Sequence, residues 1–235
     1  MTVTLVDVWT APLDPEDGTL DRFRATLSPA ERERECRFAF DRERRAFVAS
    51  RGWLRTLLAR YAGGTPAGQV LVEDPLGKPR LGGACGQGRR RFSVSHSAGL
   101  WACAVALHRE VGLDIEWIDP AREIDRISGR YFSPAEVAAL RALPEAERLA
   151  GFHLCWTRKE AWLKARGFGI SVPLDSFEVS LAPGEPARLL ATRPDPAEAA
   201  RWTLLDLDHG PGFAGALCVE GADPVEVRMR GPVIL

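Results

Sequence analysis

Val111-Gly-Leu-Asp-Ile-Glu-Trp-Ile118 (VGLDIEWI, residues 111–118) is the stretch on which the reading of this chain turns. Strand alternation sends Asp114 and Glu116 to one face and Leu113, Ile115 and Trp117 to the other, so two carboxylates share one side of a largely apolar strand. A solvated strand face accounts for such a pair. So does a divalent cation, which relieves the repulsion between carboxylates held this close. The stretch also divides the chain: strands run up to it, and from Glu123 the pattern turns helical.

Upstream, Thr2 to Trp9 alternate imperfectly between apolar and polar, which predicts an opening strand. Ser28, with Pro29 next and Glu31 three residues on, predicts a capping box and a short helix. Asp41 is expected to cap a longer helix, whose stripe of Phe47, Leu54, Leu57, Leu58 and Tyr61 ends at Gly63-Gly64. The runs QVLVE, RRFSVS and WACAVAL lead into VGLDIEWI through the turn signals DPLGKP, GGACGQG and HSAG, and together predict a meander. Downstream, Ser133-Pro134 with Glu136 is a second capping box, and Glu145–Arg166 carries Phe152, Trp156 and Leu163 on one stripe before Gly167 and Gly169. Strands are expected at SFEVSL, RWTLLDL and GFAGALCVE, and a surface loop over Pro183–Pro196. The fold class is α+β in two halves, residues 1–110 and residues 111–235.

With 46% hydrophobic and 27% charged residues, the 235-residue chain has material for a real core. Its formal net charge of −1 excludes a whole-protein field for nucleic acid or anionic membrane. No stretch approaches the roughly 20 apolar residues needed to span a bilayer, and no signal-peptide pattern opens the chain, so a cytoplasmic protein is expected. The five scattered cysteines (Cys36, Cys85, Cys103, Cys155 and Cys218) show no metal spacing and predict buried free thiols. Lysine is scarcer: Lys78, Lys159 and Lys164 are the only ones, every other strong base being arginine. A compact ammonium able to give up a proton is a reason to keep lysine at those places.

In HLCWTRKEAWLKARG (153–167), Glu160 and Lys164 lie four apart on one helical face, with Trp156 a turn earlier and Lys159 beside the glutamate. An ordinary surface ion pair explains the spacing, but the flanking Trp156, Trp162 and Phe168 predict a helix packed on several sides, where charges are partnered or functional. FSVSHS places Ser95, His96 and Ser97 at a strand end. A structural histidine or a hydrolase serine is the alternative there, and no Gly-x-Ser-x-Gly elbow occurs to support the second. Gly77-Lys78-Pro79 is a tight turn carrying one of the rare lysines, and solvation alone accounts for most such lysines.

Taken in order, Gly77-Lys78-Pro79, Ser95-His96-Ser97, Gly112-x-Asp114-x-Glu116, Phe132-Ser133-x-x-Glu136 and Trp156-x-x-Lys159-Glu160-Ala161-x-x-Lys164 resemble one family. They look like the 4′-phosphopantetheinyl transferases, in the single-chain group named for the surfactin-synthetase activator. Leu113 stands where isoleucine or valine is commoner, a change with no consequence for the chemistry. The resemblance implies a pseudo-dimer of two similar α+β halves, each an antiparallel sheet with helices packed on it, and coenzyme A in the cleft between them. It implies that Asp114, Glu116 and Glu160 hold Mg²⁺, with Mn²⁺ as a substitute, beside the coenzyme A pyrophosphate. A serine of an acyl or peptidyl carrier protein would attack the β-phosphate and release 3′,5′-adenosine diphosphate. Lys164 would stabilise or protonate the leaving phosphate, and Glu160, with Asp114, belongs to the catalytic set, Glu160 being a candidate for activating the serine. Lys78, Pro79, Ser95, His96 and Lys159, with Arg44 and Arg51 from the arginine-rich segment 21–60, would bind coenzyme A.

A monomer is the expected state. Three other readings compete: a Mg²⁺-dependent phosphohydrolase or nucleotidyltransferase with the same acidic triad, a non-catalytic coenzyme A or carrier-protein binding module, and an RNA-binding domain. The acidic residues among the arginines oppose the last.

Overall fold

Three helices follow the opening strand, one more than the start signals announce. The computed structural model describes residues 3–75, 77–83, 90–167 and 172–231. Thr2, Cys85, Phe168, Gly169 and most of the GGACGQG turn lie outside the described residues. Strand β1 (Thr4–Pro12) leads into α1 (Asp17–Thr26), α2 (Pro29–Cys36) and α3 (Asp41–Ala62). No side chain caps α1 at Glu16, and that is why nothing in the sequence marked its start. α2 opens on the expected box: Glu31 N–H donates to Ser28 Oγ, and Ser28 N–H donates to the Glu31 carboxylate. Asp41 is not a cap. Phe40 holds that place without a side-chain bond, and Asp41 instead puts its charge in the first turn, where the helix dipole favours it. α3 ends at Gly63, whose φ of 80° suits glycine.

A short ribbon of β2 (Leu71–Glu73) and β3 (Pro79–Leu81) precedes β4 (Arg90–Ser97), β5 (Leu100–Leu107) and β6 (Val111–Trp117). The expected meander stops at β5. β6 leaves for a second sheet because the apolar run of β10 (Phe213–Glu220) completes its ladder, from Phe213 opposite Trp117 to Val219 opposite Val111. Helices α4 (Ile124–Tyr131), α5 (Pro134–Ala142) and α6 (Glu145–Arg166) come between them in sequence, the last closing on Gly167 in the left-handed region. β7 (Phe177–Val179) pairs with β8 (Leu189–Thr192), which lies inside the proline-rich run expected to be loop.

The larger sheet has the order β11-β1-β5-β4 and the smaller one β6-β10-β9, with β9 spanning Trp202–Asp206 and β11 Val225–Arg230. β11 is a correction on two counts. The alternation of VEVRMR was its available signal, and it returns to pair in parallel with β1, so the first sheet is not purely antiparallel. Four layers result. α3 packs its stripe with Trp9, Phe23 and Trp101 on the outer face of the larger sheet. Val6, Val8, Ala104, Leu113, Ile115 and Leu217 form an apolar seam between the sheets. α6 covers the smaller sheet with Phe152, Trp162 and Phe177. Cys103, Cys155 and Cys218 are buried as expected, whereas Cys36 is exposed, because it ends α2 on its solvent side. Among the described residues no helix is long and apolar enough to cross a membrane.

Candidate active site

Glycine at position 112 lets α6 touch β6. A Cβ there would fall 1.9 Å from the Ala161 carbonyl oxygen and 2.3 Å from the Ala165 nitrogen, so any other residue would push the helix off the strand. Gly112, Asp114 and Glu116 share the face of β6 opposite Leu113 and Ile115, as alternation predicts, and Glu160 and Lys164 flank the helix backbone that meets this face. The motif glycine therefore brings the strand carboxylates and the helix charges into one place.

Asp114 is buried and bonded on one oxygen only. Its Oδ1 accepts from Lys164 Nζ at 2.6 Å and from Ser95 Oγ at 2.9 Å, while Oδ2 is buried without a partner. Ser95 Oγ also accepts from Lys164 Nζ at 3.0 Å and from the Ile115 N–H at 3.2 Å, so aspartate, lysine and serine form one closed knot. Glu116 Oε2 takes the Ser97 hydroxyl at 3.2 Å and lies 3.6 Å from the Arg122 guanidinium. Burial, then repulsion from Asp114, raises Glu116 above the usual carboxylate range. The same two causes raise Glu160.

Among the described residues no three Asp, Glu, His or Cys side chains already stand as a ligand cluster. The Lys164 ammonium takes the near oxygen of Asp114 instead. The donors nevertheless suit a hard divalent cation: all are carboxylate oxygens, Asp114 Oδ2 is an orphan that a cation would satisfy, and Glu116 and Glu160 are crowded by like charge.

The other lysines have inward duties. Lys159 is fully buried; its Nζ donates to Leu174 O at 2.7 Å and Phe177 O at 2.6 Å and pairs with Glu136 at 2.8 Å. Glu136 in turn completes the capping box of α5 with Ser133 and accepts from Val179 N–H. The Phe-Ser-x-x-Glu run is thus a buried structural hub, and the Trp156 ring packs near Tyr131, Phe132 and Phe152. Lys78 Nζ donates to Glu110 at 3.0 Å, Val111 O at 3.1 Å and Ala165 O at 2.9 Å, which ties the end of α6 to the start of β6.

Beyond Lys164 lie two adjoining cavities. Lys164, Gly77, Lys78, Pro79, Val94 and Gly167 line a cavity of about 240 Å³, and Pro79 and Val94 also border a second one of about 480 Å³. The second is lined by Arg34, Phe47, Ser50, Arg51 and His96. Arg34 and Arg51 both lie over the Phe47 ring, at 5.4 and 5.7 Å. Burial lowers Arg51 from the usual guanidinium value. His96 keeps an exposed edge, yet burial and then the Lys164 ammonium push it below the ordinary histidine value. Arg44 stands apart, 3.6 Å from Asp41 and bonded to Phe38 O. Arg55 is buried on Glu31 and three carbonyls. Arg34 was missed by the sequence reading; its place six residues into a capped helix was the only signal, and that helix alone does not say what its face meets.

Cavities lined by arginine and histidine beside an ammonium among carboxylates have the charge of a site for phosphate groups. The 4′-phosphopantetheinyl transferase superfamily model matches residues 110–218. The transferase HetI of Nostoc sp. is 39% identical over 217 residues, 92% of this chain and 88% of that protein. A 4′-phosphopantetheinyl transferase of Bacillus subtilis is 34% identical over 164 residues, 70% of each chain. The transferase Sfp of B. subtilis is 27% identical over 93% of this chain and 92% of its own length. The chain belongs to the 4′-phosphopantetheinyl transferases, in the group of Sfp.

Proposed function

We propose that this enzyme moves the 4′-phosphopantetheine arm of coenzyme A onto a serine of an acyl or peptidyl carrier protein, with 3′,5′-adenosine diphosphate leaving. The observation that carries this is a pair of cavities adjoining at Pro79 and Val94, one lined by the Arg34 and Arg51 guanidiniums and the His96 ring, the other by Lys164 beside the half-bonded Asp114. A nucleotide with a terminal phosphate at one end and a pyrophosphate at the other matches that spacing of charge. Asp114, Glu116 and Glu160 would hold Mg²⁺, which when bound neutralises the charge on the pyrophosphate.

The residues divide the work by position. Arg34, Arg51 and His96 grip the 3′-phosphate, and Pro79 packs at the junction of the two cavities. Lys164 holds a proton next to the departing phosphate and stabilises the charge that grows there. Glu160 makes no hydrogen bond or ion pair among the described residues, and the oxygen it does not give to the cation would orient the serine hydroxyl. Lys78 and Lys159 keep the frame in which this happens. Each half contains a short helix opened by a capping box and then a helix of 22 residues packed on a sheet, and the two would act as similar halves around the nucleotide.

The test is the mass of a panel of apo carrier proteins after incubation with the enzyme, coenzyme A and Mg²⁺. Gain of the phosphopantetheine mass, lost with EDTA, is the expected result. Hydrolysis of coenzyme A without gain of mass would instead establish a phosphohydrolase.

A further inference from the structure

The two sheets are joined along β4 and β6 by serine side chains where a strand ladder would otherwise run. The N–H groups of Leu113, Ile115 and Trp117 donate to the hydroxyls of Ser93, Ser95 and Ser97 at 3.0, 3.2 and 3.0 Å. Each hydroxyl has one proton left to give. Ser95 gives it to Asp114 and Ser97 gives it to Glu116. Ser93 has Gly112 at the corresponding place, so it makes the backbone bridge alone. The period of two along β4 is therefore in register with the period of two that sets the carboxylates along β6.

Ser95 is already part of the knot with Lys164. Ser97 is not: beyond the Trp117 N–H its hydrogen bond goes to Glu116. The hydroxyl bonds Glu116 at Oε2 and the Arg122 guanidinium lies nearest that same oxygen, so Oε1 makes no hydrogen bond among the described residues. Resting on the functional reading above, we infer that Ser97 is a positioning residue for Glu116. It uses the backbone of β6 to aim its proton, holds Oε2, and so presents Oε1 to the cation. Outer partners of this kind fix the orientation of a ligand and commonly change metal affinity by about 10- to 100-fold.

The test is direct binding of Mn²⁺, followed by electron paramagnetic resonance, with coenzyme A present and carrier protein absent, so that no turnover enters the readout. Ser97→Ala should weaken Mn²⁺ binding about 10-fold. Ser97→Thr keeps the hydroxyl on a strand and should restore it. Ser93→Ala removes the same backbone bridge without touching a carboxylate, so it should lower Tm as Ser97→Ala does and leave Mn²⁺ affinity unchanged. Equal weakening by Ser93→Ala and Ser97→Ala would reduce the serines to strand alignment and overturn the inference, as would wild-type affinity in Ser97→Ala. No Mn²⁺ binding by the wild-type protein would overturn the metal reading itself, and this inference with it.

Discussion

Glu110 and Glu116 stand at the two ends of β6 in opposite electrical surroundings. Glu110 accepts from Lys78 at 3.0 Å, from Arg80 at 2.7 Å and from Arg91 at 2.5 Å. Burial acts to raise it, but these cations, Lys78 foremost, outweigh burial and hold it below the usual carboxylate range. Glu116 has one serine hydroxyl and a guanidinium 3.6 Å away, and burial with the nearby Asp114 raises it. Lys159 and Lys164 repeat the contrast on α6. The first is sealed among two carbonyls and Glu136, whereas the second is 31% exposed, lines the smaller cavity and reaches Asp114. Where the chain satisfies a charge with its own groups, that charge holds the frame. Where it leaves one short, as at Asp114 and Glu116, the proposed site lies.

Four changes would break or sharpen this contrast. Lys159→Met strands the fully enclosed Glu136 and should cost roughly 3–5 kcal/mol of stability, seen as a large fall in Tm, while Lys164→Ala, at a pair that opens to solvent on the lysine side, should lower Tm less and lower the single-turnover rate. If both variants melt like the wild type, the division between frame and site is wrong. Asp114→Asn should lower kcat on the order of 10²- to 10³-fold with Tm maintained, since the orphan Oδ2 contributes nothing to the fold. Transfer to an apo carrier at near wild-type rate would remove Asp114 from the site. Glu110→Gln weakens bonds to three cations, and a loss of about 1.5–3 kcal/mol is expected in urea unfolding, with coenzyme A affinity of the folded protein kept.

The smallest effect concerns pH. A carboxyl whose folded value is depressed stabilises the protein above its ordinary value and loses that contribution as pH falls through the folded one. The Tm gap between wild type and Glu110→Gln should therefore narrow as pH drops from neutral toward about 3. A gap constant across that range would mean that Glu110 acts by shape alone.

Much of the frame was legible because local chemistry writes it locally. Both capping boxes stand where Ser28 and Ser133 announced them, and α6 spans Glu145–Arg166 as its stripe and Gly167 require. α1 had no cap to announce it, and β8 was hidden in a proline-rich run. Asp114, Glu116, Glu160 and Lys164 were legible as a set because alternation on a strand and spacing on a helix each place two charges on one face.

Which of those charges are spent inside the protein was decided only by tertiary structure. Lys78, Lys159 and Lys164 are equally scarce letters in the sequence, yet the first two are satisfied by carbonyls and carboxylates as far apart in the chain as Ala165 and Glu136. The departure of β6 to pair with β10, the return of β11 to β1, and the serine bridges from β4 are long-range contacts as well. Periodicity states which face a residue takes. It does not state what the opposite face belongs to, because that partner comes from a distant segment whose approach depends on backbone clearance, here the missing side chain of Gly112 against Ala161.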